Sequence, residues 1–174
     1  MIVLRGLFYL IIFYVTVVFF LPKNEIVAYV DTKFLSQEQI SQKVELQNSY
    51  FGYIANNSTF LYQKNAVADI ETIEINPYLF YNTLNLKKTK LLGMAGSIFP
   101  SKIENAQAVY SILDPTKILL DISGDFGKAV GYFDLTTFMV HLEVTASSTM
   151  KKNYSFILKN MKKSDKIYIY EYKL

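Results

Sequence analysis

Hydrophobic residues are distributed along this chain in three successive patterns. From Gly6 to Leu21, "GLFYLIIFYVTVVFFL", there is an unbroken apolar run of sixteen residues without a charge. The next stretch, "PKNEIVAYVDTKFL", places Ile26, Tyr29, Val30 and Phe34 at helical spacing behind Pro22, a residue suited to a first helical turn. Lys23 to about Leu35 therefore reads as a short amphipathic helix. From about Gln39 the period drops to two, and it stays close to two until the chain ends.

The period-two region predicts strands one after another. Val44 and Leu46 alternate with polar neighbours, and "STFLYQ" follows the turn-like Asn56-Asn57. In "ADIETIEIN", Ile70 is out of phase with Ile73 and Ile75, which a β-bulge near Glu71 would explain. Pro77 ends that strand, because a proline cannot donate to a central ladder. Leu84 and Leu86 share a face, and Leu91-Leu92 follow as a second apolar pair. "QAVYSIL" leads to an Asp114-Pro115 turn, after which Ile118, Leu120 and Ile122 alternate. Phe138, Val140, Leu142 and Val144 repeat that pattern over a long run. Tyr154, Phe156 and Leu158 read as another strand, and "KIYIYEY" closes the chain with alternating faces. Eight or nine strands with short connections and little helix after residue 35 predict an antiparallel meander.

The stretch "DISGDFGKAVGYFDL" contains Asp125-Phe126-Gly127, a triplet that holds a magnesium ion in protein kinases. The glycine-rich loop, strand lysine and catalytic-loop aspartate of that fold are missing, and the chain is too short for it. The flanks are strand-like, and Gly124 and Gly127 can take the positive φ of a tight hairpin. Gly124, Asp125 and Gly127 are thus expected to form a structural turn.

Composition narrows the possible chemistry. Half the 174 residues are hydrophobic (51%), too apolar for a disordered chain, and the aromatic share of 16% favours strands. A net charge of +3 argues against nucleic acid as a partner. No cysteine is present and His141 is the one histidine, so thiolate chemistry, disulfides and multi-histidine metal sites are excluded within one chain. His141 could pair with Glu143 on the same strand face, but no nucleophile or oxyanion donor accompanies it. Asp69, Glu71, Glu74 and Glu104 fit no calcium loop and read as a solvated sheet face. Asn57-Ser58-Thr59 and Asn153-Tyr154-Ser155 match a glycosylation sequon, a pattern that arises by chance in an Asn-rich chain. No catalytic, cofactor or metal residues are nominated, and the expectation is a protein that is not an enzyme.

Lysines crowd at Lys87, Lys88 and Lys90, and again at Lys151, Lys152, Lys159, Lys162, Lys163 and Lys166. They protect hydrophobic strands from edge-to-edge pairing. Contact with anionic lipid or an acidic partner is the other reading.

The leading apolar run reads as a membrane anchor. Counted from Ile2 across Arg5 it spans twenty residues, roughly 30 Å of helix, about the thickness of the bilayer hydrocarbon. Leu7, Phe8, Leu10, Ile11, Ile12, Phe13, Val15, Val17, Val18, Phe19, Phe20 and Leu21 would face lipid. A cleaved signal peptide would need small residues after the run, and Pro22-Lys23-Asn24-Glu25 stands there instead. Arg5 on the short N-terminal side favours an N-in orientation, which Lys23 weakens. The partition is an anchor over 1–22 and one β-domain over 23–174, outside the cytoplasm.

This order of features resembles the type II secretion system protein N group and the related AsmA-like proteins of diderm bacterial envelopes. "LPKNEI", "ADIETIEINPYLF" and the hairpin "DISGDFGKAVGYFDL" carry the likeness, which covers nearly the whole chain in pattern. The chain is shorter than typical members of the group. The resemblance implies a single-pass inner-membrane protein with a periplasmic, curved, half-open meander sheet and no catalytic residues. Its partners would be the inner membrane, envelope or secretion-apparatus proteins, and phospholipid. The secretion group implies an accessory of an envelope-spanning apparatus, and the AsmA-like group implies a sheet face that holds acyl chains. On this chain the candidate face is Ile118, Leu120, Ile122, Phe138, Val140, Leu142 and Val144.

Overall fold

The computed structural model describes residues 52–78 and 80–174, the backbone of Ile40–Gln47, and helical positions at Phe8, Tyr9, Ile12, Phe13, Val15 and Thr16. The other anchor positions and the amphipathic segment 23–35 lie outside the described residues. Among the described residues no helix is long and apolar enough to cross a membrane.

Ten strands among the described residues form one antiparallel sheet. They are β1 (Ile40–Gln47), β2 (Tyr53–Tyr62), β3 (Asn65–Pro77), β4 (Tyr81–Leu91) and β5 (Lys102–Ser111), then β6 (Asp114–Gly124), β7 (Gly127–Asp134), β8 (Met139–Ala146), β9 (Lys162–Ser164) and β10 (Ile167–Lys173). Spatial order follows chain order from β1 to β8. β10 then pairs with β8, and the three-residue β9 lies outside β10. The sheet is open, its strand order running from β1 to β9 without closure, and each strand up to β8 returns beside its predecessor, which is how a meander forms.

Period two holds along most strands, so registered partners share a face. One face collects Tyr53, Ala55, Ile73, Ile75, Leu84 and Leu86 from β2 to β4. The same face continues through Ala106, Ala108 and Tyr110 of β5 to Ile118, Leu120 and Ile122 of β6. The opposite face mixes apolar residues, Val109, Leu119, Val130 and Tyr132 among them, with polar ones linked by cross-strand pairs. Lys87 bridges Glu74 at 2.9 Å, Lys128 bridges Asp121 at 2.9 Å, and Gln107 donates to Asn85 at 2.9 Å.

The phase problem at Ile70 resolves into a crease that crosses several strands. The pairing of β3 steps over Glu71 on both sides, over Asn57 of β2 and Lys88 of β4, and β4 and β5 step over Lys88 and Glu104. β1 shifts register against β2 at the same level, between Lys43 and Glu45. Asn57 and Lys88 both take φ of 50°, the left-handed region that asparagine tolerates better than lysine. Lys88 is held there by an ion pair to Glu71 at 2.8 Å, and that bond keeps its ammonium above the ordinary lysine range. The slip turns Ile70 onto the face of Ile73. With Ala55 they form a small core, 6%, 6% and 0% exposed, packed by Tyr53, Phe60 and Leu86. Ser58 and Thr89 flank Ile70 in its row and are also buried.

Three short helices interrupt the strand pattern among the described residues: α1 (Gly93–Ile98), α2 (Ser148–Asn153) and α3 (Ser155–Lys159). Three readings are corrected here: Asn56-Asn57 lies inside β2, Asp114-Pro115 begins β6 with the turn at Ile112-Leu113 before it, and one supposed strand is a helix. The residues after Leu91-Leu92 turn into α1, with Gly93 at φ 56° opening it. The supposed strand through Tyr154, Phe156 and Leu158 is helical. Its apolar residues Met150, Tyr154, Ile157, Leu158 and Met161 recur at helical spacing and pack with Ala146, Phe126 and Tyr168. Ser147 caps α2, accepting from the Met150 N–H at 3.0 Å.

Candidate functional site

The Asp125-Phe126-Gly127 triplet is a two-residue hairpin turn. Gly124 pairs with Gly127 across it, and Gly127 has φ of 110°. A Cβ on Gly127 would also run into the Thr145 carbonyl oxygen, so two separate demands require glycine there. Phe126 swings into the helical cluster. Ser147 ties the turn down by donating its hydroxyl to the Asp125 carbonyl at 2.5 Å and its N–H to the Phe126 carbonyl at 2.8 Å.

β6, β7 and β8 bring six of the seven candidate face residues together. Ile118 registers with Phe133, which registers with Val140; Leu120 reaches Leu142 through Gly131; Ile122 reaches Val144 through Ala129. These three rows form one aliphatic patch on the face already described. Gly131 lies at its centre, where a Cβ would collide with the His141 carbonyl oxygen. Val144 and Ala129 are buried, whereas Ile118, Leu120, Ile122, Val140 and Leu142 stay half-buried.

Phe138 departs from the strand. It sits in the β7–β8 turn at φ 55° and is 56% exposed, with its ring edge-on to Phe133 at 6.3 Å. The cause is Asp134, whose carboxylate accepts from the Thr136 hydroxyl at 2.6 Å and from the Thr136 and Thr137 N–H groups at 2.8 Å each. These bonds hold its carboxyl well below the usual range, the Thr136 hydroxyl contributing most.

Beyond β8, the row that holds Ile122, Ala129 and Val144 continues to Tyr168 of β10, followed by Tyr170 beside Leu142 and Tyr172 beside Val140. Tyrosines thus line one margin of the patch, a contribution that the sequence pattern of the last strand pointed to only as an aromatic face.

His141 lies on the opposite face. It meets Glu171 at 3.0 Å through Nδ1 and Glu143 at 3.7 Å through Nε2, and it stacks on Tyr132 at 5.2 Å. The predicted pairing with Glu143 is therefore the longer of two contacts. The acidic residues near Glu71 are individually engaged: Glu71 with Lys88, Glu74 with Lys87, and Asp69 accepting from the Thr59 hydroxyl at 2.8 Å. Among the described residues no group of three His, Cys, Asp or Glu could hold a metal ion.

No family model, curated protein or solved structure matches the chain.

Proposed function

We propose that this chain is a non-enzymatic, membrane-tethered lipid-handling protein, held in the inner membrane by its leading apolar run with its sheet in the periplasm. In this reading the sheet is curved, as in the AsmA-like proteins, and its aliphatic face takes phospholipid acyl chains. The observation that carries the reading is the patch over β6–β8, aliphatic in three consecutive rows yet only half-buried. An apolar surface spread over several strands calls for an occupant, because large exposed patches are rare in free monomers. On the opposite face Lys87 and Lys128 are bridged to carboxylates within the sheet, which occupies those two cations.

Lipid extraction and mass spectrometry of the full chain, purified in a mild non-ionic detergent, test the reading. Phospholipid at near-stoichiometric amounts is expected; a lipid-free protein overturns it.

A second reading is that of an accessory subunit in an envelope-spanning secretion apparatus, with other envelope proteins as partners. It is favoured by β1, whose outer edge has no strand partner among the described residues and could accept a strand from another chain. A stable, lipid-free complex with other envelope proteins is its signature.

A further inference from the structure

The helices after β8 build a second feature at one end of the aliphatic face. α2, α3 and the segment leading into β9 border a shallow, open cleft of about 410 Å³. Its floor is Leu158, Met161 and Tyr168, and its rim carries the exposed side chains of Lys151, Lys159 and Lys163. Ser155 adds a hydroxyl, and no carboxylate lines the cleft. Between Ser148 and Lys166 the sequence holds six lysines against one acid, Asp165, more positive charge than the net +3 of the whole chain. None of the three rim lysines has an ion-pair partner among the described residues, whereas Lys87, Lys88 and Lys128 of the sheet are each bridged to a carboxylate.

The cleft adjoins the patch. Tyr168 in its floor registers with Val144, in the row of Ala129 and Ile122. Val144 and Ala129 are buried, but Tyr170, the next residue on that face of β10, lies beside the half-buried Leu142 and leads onto the patch. A ligand with an anionic head and an apolar body matches both halves: cations without counter-ions at one end and a run of aliphatic side chains leading away. A free anion would leave the apolar floor unused, and an acidic peptide would find no polar groups along the row.

From this we infer that the cleft receives the phosphate-bearing headgroup of an anionic phospholipid whose acyl chains lie on the β6–β8 face, with Lys151, Lys159 and Lys163 contacting the phosphodiester. This deepens the lipid-handling reading and rests on it. Each lysine near an anionic lipid surface contributes modestly and in a salt-dependent way.

The test is equilibrium binding of short-chain phosphatidylglycerol and short-chain phosphatidylcholine to the full chain in a non-ionic detergent. The native chain is compared with the triple variant Lys151→Gln/Lys159→Gln/Lys163→Gln and with a control, Lys87→Gln/Lys128→Gln, on the opposite face. Native protein should prefer phosphatidylglycerol by on the order of tenfold at low salt, and the preference should shrink as salt is added. The triple variant should bind both lipids alike, its affinity for phosphatidylglycerol falling by more than that for phosphatidylcholine, whose phosphodiester is offset by its own choline cation, and the control should keep the preference. Equal binding of the two lipids by native protein overturns the headgroup site while leaving the lipid-handling reading intact. So does a triple variant that keeps its preference, or displacement of the lipid by inorganic phosphate or a glutamate-rich peptide at matching concentration. Failure of both lipids to bind removes the lipid-handling reading itself.

Discussion

Two aliphatic clusters occupy the same face of one sheet and have opposite fates. Around the crease, Ile70 and Ile73 are drawn together with Ala55 and buried. Over β6–β8, Ile118, Leu120, Ile122, Val140 and Leu142 follow the same alternation with equally apolar side chains and remain half-buried. The residue types do not distinguish them. The difference lies in the backbone: the step at Glu71 adds an out-of-phase row to the first cluster, whereas the second keeps regular rows, with Gly131 pressed against the His141 carbonyl at its middle and no side chain there. A run of alternating aliphatics therefore specifies a strand face, but local geometry decides whether that face becomes core or contact surface.

The largest expected effect is on the buried cluster. Ile73→Ala should lower unfolding free energy by about 2–4 kcal/mol, the ordinary cost of a cavity in a packed core. A denaturant midpoint equal to that of the native chain would show that the cluster is not a core. Gly131→Ala comes next, at about 1–3 kcal/mol of overpacking, because the new methyl must displace the His141 carbonyl. Thr89→Val should move stability the other way. The Thr89 hydroxyl is buried without a hydrogen-bond partner among the described residues, so removing it gains about 1 kcal/mol. A loss of stability would reveal a partner for that hydroxyl.

Leu120→Asn is the counterpart of Ile73→Ala on the open patch. It should lower stability by about 1–2 kcal/mol, less than Ile73→Ala does, and reduce co-purified phospholipid. A large drop in stability with lipid retained would make the patch a core after all. The smallest effect concerns the turn that displaces Phe138. The Asp134 carboxyl is depressed in the folded chain, so its stabilisation is complete above the unfolded value near ~4 and is lost only as pH falls through the lower folded value. An NMR titration should find this carboxylate still ionised at about pH 3; a midpoint near 4 would show the turn bonds to be absent in solution.

Much of the sheet was legible in the sequence because period two is a direct consequence of strand geometry. The hairpin was legible because only glycine meets the φ of Gly127 and its close approach to Thr145; Gly124 lacks the expected positive φ, and a side chain there is excluded by the Lys102 carbonyl instead. The anomaly at Ile70 was visible as a phase error, although one strand could not reveal that its neighbours slip at the same level. The α2–α3 segment was misread because Tyr154, Phe156 and Leu158 alternate by accident. The informative set was Met150, Tyr154, Ile157, Leu158 and Met161, introduced by the N-cap Ser147. Phe138 was assigned to the strand because its hydrophobicity continued the pattern, while Asp134, four residues earlier, already supplied the turn. For the candidate site, the six aliphatic positions of the patch could be read, but the cleft beside them could not. Its lysines and its apolar floor come together only when β10 returns alongside β8.

The interruption through Asn57, Glu71, Lys88 and Glu104 bears on how such a sheet finds its pairing. Successive strands of similar length and alternation could slide past one another by two residues and still present aliphatic side chains on the proper side. A shared notch at one level removes that freedom. Any strand displaced from its neighbour would set its left-handed residue against regular ladder and forfeit the Glu71–Lys88 bridge. The notch acts as a key: it favours a single alignment for a repetitive chain that has no cysteine to cross-link it.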